Sequence, residues 1–449
     1  MKIRRVLAIN AAKLVCAVSK RIGKQGATWA GKVAMLIYPS ILKELSADVK
    51  KKIYAVCGTN GKTSTNKMIC SALELEDNKV ICNHTGANML NGVAAAFVLA
   101  ADKNGTLDAD YACIEVDEAS AKIVFPHIKP DFMVITNLFR DQLDRYGQED
   151  ATAQLLSDAI KAVPDMKIIV NADEVVSTSM VTANKNSYIT YGVNKEYSGN
   201  QNESQVIEGK FCKLCGEKLD YNFYHYSQLG DYSCPKCGFK RPHIDYNAED
   251  IYCQDYIEFS VSGIKLRADY RGFYNIYNIL AAFTALSQSG EKLNNFQKML
   301  DNYNPGNGRM ELFEIYDTKV NLNLAKNPAG FNQSIAAVMQ DKTKKDIIIS
   351  VNDKDQDGID VTWIWDVDFL KLSDPSVNSI TVSGIRNKDM LLRLKYEDIN
   401  AKAEDDIDKA IREKVLNGCK NLYVIVNFTA LLSTRTAIKQ LEEEQNEKR

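Results

Sequence analysis

The segment KIYAVCGTNGKT, residues 52–63, constrains the fold most. Apolar residues run unbroken up to Cys57, then Gly58-Thr59-Asn60-Gly61-Lys62-Thr63 follows, and STNKMICSALELE carries a helical pattern. A buried strand, a glycine turn and a helix in that order make a phosphate cradle. Glycines let the backbone wrap a phosphate with successive amides pointing inward. The helix adds its positive N-terminus. Lys62 is then placed to reach the β/γ-phosphates of a nucleotide, and the Thr63 hydroxyl to bind Mg²⁺. The common phosphate loop has a glycine where this chain has Val56, so GTNGKT is a contracted form.

The same alternation continues along the chain. KVICN, YACIEVDE, DFMVITN and KIIVNAD read as strands, and NGVAAAFVLAA and AQLLSDAIKAV as helices. Regular alternation predicts a parallel sheet wrapped by helices, with ligands beyond the carboxyl ends of its strands. The pattern breaks near residue 195. Short β-like runs (IEFSVSGIKLRADY) and a glycine turn into a helix (RGFYNIYNILAAFTALSQSG) follow. YNPGNGRME reads as a linker. Alternation resumes with VNLNLAKN, IAAVMQ, KDIIISVND, SITVSG and LYVIVN. The expected domains are therefore 1–305, interrupted by an insertion at about 207–245, and a second α/β domain at 306–449.

A length of 449 residues fits about three folding units. Lys and Arg number 56 against 58 Asp and Glu, which argues against a basic nucleic-acid binder and against an acidic disordered chain. No apolar run reaches the length of about 18 residues that spans a bilayer. The start, MKIRRVLAINAAKLVCAVSKRIGK, resembles a signal peptide only superficially, because Asn10 and Lys13 interrupt its apolar stretch. Leu7, Leu14 and Val18 instead mark one face of an amphipathic helix.

Four of the eleven cysteines form a pattern. Cys212-x-x-Cys215, eighteen residues, then Cys234-x-x-Cys237 is the spacing of a tetrahedral zinc ribbon. Gly216 and Gly238 follow the two pairs and suit the tight turn of each knuckle. Four thiolates leave no open position, so the zinc is expected to be structural. The ribbon's basic residues (Lys213, Lys218, Lys236, Lys240, Arg241) are offset by Glu217, Asp220, Asp231 and Asp245, so the case for nucleic acid is weak.

GTNGKT, taken with the motifs after it, resembles the Mur ligase family, ATP-dependent enzymes that join a carboxylate to an amine through an acyl phosphate. Ile114-Glu115-Val116-Asp117-Glu118 resembles the family's strand with a magnesium-binding glutamate, which implies that role for Glu115. Three carboxylates at a strand end also suit a hard cation. Thr136-Asn137-Leu138-Phe139-Arg140-Asp141-Gln142-Leu143-Asp144 resembles a segment of form TN…DHLD, with Gln142 where the family places a metal-binding histidine. Gly272-Phe273-Tyr274-Asn275-Ile276-Tyr277-Asn278 resembles G-x-HN-x-x-N, which implies Asn275 and Asn278 near the adenine, with Tyr274 replacing the histidine. Gly308-Arg309-Met310-Glu311 resembles GR-x-E, which implies Arg309 near the nucleotide phosphates.

The ribbon narrows the resemblance to the family's amidating branch. Asp357-Gly358-Ile359-Asp360 before Thr362-Trp363-Ile364-Trp365-Asp366 is similar to that branch's DG-x-D…WIWD, and Asn427-Phe428-Thr429-Ala430 to its Y-T-A. Lys326-Asn327-Pro328 stands where amino-acid-adding relatives carry DxAHNP. The resemblance implies amidation of the D-glutamate α-carboxylate in the lipid II stem peptide, with ammonia from a GatD-like glutaminase partner. It implies ATP and Mg²⁺ as cofactors beside structural Zn²⁺, no nucleic acid, and work in the cytoplasm at the inner face of the membrane. An aspartate of this chain would complete the partner's Cys-His pair: Asp357 first, Asp360 second, Asp355 third. An orienting carboxylate is the physical role such a group plays. Two alternatives are an amino-acid ligase of the Mur or folylpolyglutamate type, and a zinc-ribbon ATPase that binds nucleic acid.

Overall fold

The structure is a computed structural model that describes residues 2–21, 26–83, 87–139, 149–197, 208–304, 306 and 308–447. Gln142 and its neighbours lie outside the described residues.

Three helices open the chain: α1 (Lys2–Arg21), α2 (Ala27–Ile37) and α3 (Ile41–Ala47). Strand β1 (Lys52–Cys57) then enters a seven-stranded sheet with β2 (Val80–Cys82), β3 (Tyr111–Glu115), β4 (Phe132–Ile135), β5 (Lys167–Asn171), β6 (Tyr188–Gly192) and β9 (Tyr246–Asn247). The order is β2-β3-β1-β4-β5-β6-β9 and every pair is parallel. Helices α4 (Lys62–Glu74), α5 (Leu90–Ala100) and α6 (Ala121–Ile128) make crossovers. Burial on both faces explains why β1, β3 and β4 read as nearly unbroken apolar runs. The apolar residues divide into two clusters, one on each face of this sheet. Ala55, Ile114 and Met133 belong to the side of α1, α2, α5 and α6. Tyr54, Val56 and Val134 belong to the side of α4 and the helix Tyr274–Gln288.

Strand β1 lies between β3 and β4, so the chain turns left after β1 and right after β3. The carboxyl end of β1 is thus the topological switch point, where an open α/β sheet opens a crevice.

The break near residue 195 is real. Beyond it, β7 (Asp220–Tyr226) and β8 (Leu229–Ser233) form a hairpin, and β10 (Glu249–Cys253), β11 (Ile257–Val261) and β12 (Ile264–Ala268) an antiparallel sheet. Six strands follow: β13 (Glu311–Ile315), β14 (Thr318–Leu324), β15 (Lys345–Ser350), β16 (Val377–Ser383), β17 (Lys402–Ala403) and β18 (Asn421–Val426). Their order is β13-β14-β18-β15-β16-β17, parallel except for the β13–β14 hairpin. This sheet has its own apolar clusters.

The helix expected at the N-terminus is present, but Leu7, Leu14 and Val18 face solvent. Its small residues, Ala8, Ala12 and Cys16, turn inward together with Ile9.

Candidate active site and cysteine cluster

The loop Gly58–Gly61 sits at the switch point. Gly58 (φ 126°) and Gly61 (φ 86°) both occupy backbone conformations that other residues avoid. A Cβ on Gly58 would meet Thr136 Oγ1 at 2.1 Å, and one on Gly61 would meet Asn278 Oδ1 at 2.1 Å. Neighbouring residues fix the backbone between them. Asn60 N–H donates to Asn137 Oδ1 (2.9 Å), and the Asn60 carbonyl accepts from Thr136 Oγ1 (2.7 Å) and Asn137 Nδ2 (3.1 Å).

Lys62 and Thr63 open α4. The Lys62 ammonium is buried, bonded to the Gly58 carbonyl and to Glu118 Oε1 at 2.7 Å. Glu118 Oε1 also accepts from Gly58 N–H at 2.9 Å. Burial works to lower the Lys62 pKa, but the Glu118 and Glu115 carboxylates outweigh it and hold the group up. Burial pushes Glu118 up against the pull of Lys62. Thr63 Oγ1 donates to Glu115 Oε2 at 2.6 Å, and Asn88 Nδ2 to Glu115 Oε1 at 3.0 Å. Glu115 ends β3, beside β1 in the sheet, and that adjacency brings its carboxylate to the loop.

The helix Tyr274–Gln288 brings Asn278 against Gly61 of the loop, with Asn275 beside Asn278. Asn278 Nδ2 donates to Asn275 Oδ1 (3.1 Å), and Asn275 Nδ2 to the Arg271 carbonyl (2.9 Å). Arg309 lies on the same side, close enough to Lys67 of α4 and to Tyr274 and Tyr303 to shift their titration.

Asn83 and Asn88 have no motif to announce them, and Glu118 and Asn327, though inside quoted motifs, take roles the motifs did not assign. Glu118 is the carboxylate that holds Lys62, three residues beyond Glu115. Asn88 and Asn83 fix Glu115, Asn83 by pairing with its backbone in both directions. Asn327, from the C-terminal part, exchanges side-chain amide hydrogen bonds with Asn60 (3.3 and 3.2 Å).

Magnesium would be held here by Thr63 and Glu115, a hydroxyl and a carboxylate, which are oxygen donors of the kind this cation takes.

The four motif cysteines converge. Their Sγ atoms all lie within 4.8 Å of one another, with Cys212–Cys237 at 3.6 Å and Cys215–Cys234 at 3.5 Å. A zinc tetrahedron with bonds of about 2.3 Å has sulfur–sulfur edges of about 3.8 Å, so the donor set fits that ion. Gly216 (φ 77°) and Gly238 (φ 75°) close the two knuckles, donating to the carbonyls of Cys212 (2.9 Å) and Cys234 (3.1 Å). Backbone N–H groups of Cys237 and Lys236 hold the Cys234 thiol down at about 7, while Cys215 and Cys237, against backbone N–H donors from Glu217 and Phe239, are raised by burial and then by the thiols around them.

In the C-terminal domain two separated motifs meet. Asp357 is buried, its Oδ1 accepting from Thr429 N–H at 2.8 Å and its Oδ2 from the Thr429 hydroxyl. Asn352 and Asn427 pair beside them (3.0 and 2.7 Å). Asp360 is half-buried and accepts from Thr362 N–H (2.8 Å) just ahead of the 3₁₀ turn Thr362–Asp366, while Asp355 is exposed. Trp363 packs on Phe331 in the core, and Trp365 is partly exposed against Tyr396.

Sheet order and phosphate loop define a Mur-type ATP-dependent ligase core, and the comparisons agree. The Mur ligase middle domain matches residues 56–286, and the MurT ligase C-terminal domain matches residues 324–431. The chain is similar in fold to a pseudomurein peptide ligase type C from Methanothermus fervidus (TM-score 0.69, 22% identity, 88% of this chain and 79% of that one). It is also similar to MurF from Acinetobacter baumannii (TM-score 0.66, 16% identity, 92% and 80%). Over 430 residues it is 34% identical to the lipid II isoglutaminyl synthase (glutamine-hydrolyzing) subunit MurT of Staphylococcus aureus strain COL, covering 95% of this chain and 96% of that protein. The subunit of the same name from Streptococcus pneumoniae is 31% identical over 440 residues, 97% of each chain. The chain belongs to the MurT family of lipid II isoglutaminyl synthase subunits, within the Mur ligases.

Proposed function

We propose that this chain is the ligase subunit that converts the D-glutamate α-carboxylate of the lipid II stem peptide to the amide, at the expense of ATP. The observation that carries this reading is the convergence of Lys62, Thr63 and Glu115 at the switch point of a chain matched nearly end to end by MurT relatives. In this reading the loop Gly58–Thr63 holds the nucleotide phosphates, with Asn275, Asn278 and Arg309 on the nucleotide side. Lys62 balances phosphate charge as it shifts, an electrostatic role that suits a buried, pre-aligned ammonium. Bound Mg²⁺ would neutralise phosphate charge. The substrate carboxylate oxygen attacks the γ-phosphorus and ADP leaves. Ammonia then attacks the acyl carbon of the resulting acyl phosphate, inorganic phosphate leaves, and the nitrogen loses a proton.

Zinc in the ribbon is structural, and the domains divide at residue 305. A GatD-like glutaminase supplies the ammonia, and the complex works in the cytoplasm at the inner membrane face, where lipid II is presented. Asp357 is our first choice for the carboxylate that completes the partner's site. It is already oriented by two donors, as such a carboxylate must be. Asp360, more exposed, is the second.

The test is to incubate the purified chain with ATP, Mg²⁺, lipid II and ammonium chloride and weigh the stem peptide. Replacement of one hydroxyl by an amino group is the expected product. ATP hydrolysis without that product, or a mass gain equal to an amino acid, overturns the reading.

A further inference from the structure

Helix α1 turns an apolar stripe to solvent. Ile3, Leu7, Leu14 and Val18 are 77, 57, 66 and 50% exposed. Their spacings of four, seven and four residues place them within about 60° of arc on the helix. On α2, Trp29 and Leu36, seven residues apart, are 61 and 73% exposed. These helices are anchored, not loose. A Cβ on Gly31 would fall 1.8 Å from the Asn91 carbonyl oxygen, so α2 is pressed against α5. A Cβ on Gly26 would fall 2.3 Å from Ser19 Cβ of α1.

Charge on this pair of helices has one sign. Residues 1–43 contain nine Lys and Arg and no Asp or Glu. The inward-facing ones are engaged: Arg5 pairs with Asp48 and Glu44, and Lys13 donates to the Ala101 carbonyl. Lys2, Arg4, Lys20, Arg21 and Lys32 form no salt bridge among the described residues, and Lys32 lies 5.1 Å from the Trp29 ring centroid. An all-basic segment in a chain of net charge −2 is a strong local asymmetry.

We propose that α1 and α2 form a docking surface for a bilayer containing anionic lipids. The Ile3-Leu7-Leu14-Val18 stripe and the Trp29-Leu36 pair enter the headgroup boundary, and the free basic residues contact lipid phosphates. An exposed apolar helix face flanked by Lys and Arg, with an aromatic ring beside it, is the physical signature of interfacial binding. Spanning is excluded for these helices, because no helix among the described residues is long and apolar enough to cross a membrane. The proposal does not rest on the amidation reading, and its test uses vesicles without lipid II.

The full chain is sedimented with vesicles of phosphatidylcholine alone or with added phosphatidylglycerol. Binding roughly tenfold stronger to the anionic vesicles is expected, falling steeply as NaCl rises. Leu7→Ser/Leu14→Ser should lose roughly tenfold of that binding with an unchanged thermal midpoint, since both residues are exposed. Lys20→Gln/Arg21→Gln, which keeps the stripe, should lose the preference for anionic lipid. Trp29 emission should shift to the blue on vesicle addition, read as the difference from Trp29→Phe. Equal binding by the wild type and both variants overturns the proposal. So does a change of oligomeric state in Leu7→Ser/Leu14→Ser with vesicles unbound by either protein, which would assign the stripe to a protein interface.

Discussion

Lys62 and Glu118 are worth more as a pair than either is alone. Both are buried, and each satisfies the other while sharing the backbone of Gly58. Lys62→Ala should lower ATP turnover by a factor of about 10²–10³, the usual cost of removing one aligned charge-stabilising donor. It should also destabilise the fold by about 3–5 kcal/mol, because a buried carboxylate loses its cation. The sign with pH follows from the direction of the Glu118 shift. Without Lys62, burial and the neighbouring Asp117 carboxylate are opposed only by backbone N–H donation, so the folded pKa rises further above the unfolded one. Protonated Glu118 is tolerated and ionised Glu118 is not, so the deficit should grow as pH rises through the folded value. Urea unfolding of Lys62→Ala across pH 5 to 8 checks this, and Lys62→Ala/Glu118→Gln should flatten the profile. A deficit independent of pH would mean that Glu118 finds another partner. The second residue-scale prediction separates three aspartates. Asp357→Asn should spare amidation driven by ammonium chloride and damage amidation driven by glutamine with the partner subunit. Because Asp357 also accepts from Thr429, a modest loss of thermal stability should accompany it. If both routes fall equally the residue is only structural, and the same comparison on Asp360→Asn and Asp355→Asn identifies the group that serves the partner.

Among the elements, the β7–β8 hairpin shows why a cysteine ribbon interrupts an ATPase sheet. Its tip carries Gln228, fully buried, whose Nε2 donates to the Leu138 carbonyl (2.8 Å) and to Glu174 Oε1 (2.6 Å). The next residue, Phe139, exchanges hydrogen bonds with Thr59 of the phosphate loop through its N–H and carbonyl (3.0 Å each). The ribbon therefore braces the loop through two backbone contacts and one buried amide. Gln228→Met, of similar volume, should cost about 1–3 kcal/mol by leaving polar partners unpaired, and should weaken ATP binding. Unchanged nucleotide affinity would show that the brace stops at Leu138. Cys215→Ser should lower zinc content and thermal midpoint together, since binding of a closed site is coupled to folding. Contiguous signals made much of this scale legible. The loop GTNGKT, the two cysteine knuckles and the apolar strands each lie in a short stretch of sequence, and local physics dictates each. Gln228 carries no such signal. Its importance comes from a hairpin tip meeting residues 54 and 90 positions away in the chain. The outward face of α1 was equally hidden, because an apolar stripe states a helix but not which neighbour covers it.

For the whole molecule, polar side chains join the two parts of the chain, beside an apolar contact in which Ala329 enters the first domain's cluster. Asn60 of the phosphate loop meets Asn327, which also caps the helix Pro328–Gln340 by accepting from Gly330 N–H (2.8 Å). Arg271 reaches across to Tyr423 (3.1 Å) and Asp341 (3.6 Å), and Tyr423 donates to Asp341 at 2.7 Å. Such long-range pairs, 267 residues apart for Asn60 and Asn327, cannot be read from a single sequence, although the order of motifs along the chain is legible. Asn327→Asp retains the capping acceptor and removes the amide donor to Asn60, so it should leave stability nearly unchanged and raise the KM for ATP. Asn327→Ala should lose about 1 kcal/mol as well, the usual cost of a lost cap. The Arg271 cluster makes a separate claim about pH. Burial works to raise Asp341, but donors from Thr343 and Tyr423, with the charge of Arg271, outweigh it and hold the carboxyl below its ordinary value. A depressed carboxyl contributes stability above the unfolded value of about 3.9 and loses it as pH falls through the folded one. The thermal midpoint of wild type should therefore exceed that of Asp341→Asn by a constant margin from neutral pH down to about 5, and the margin should shrink below about pH 4. A margin that does not change with pH would assign the effect of the substitution to packing and not to the carboxylate's charge.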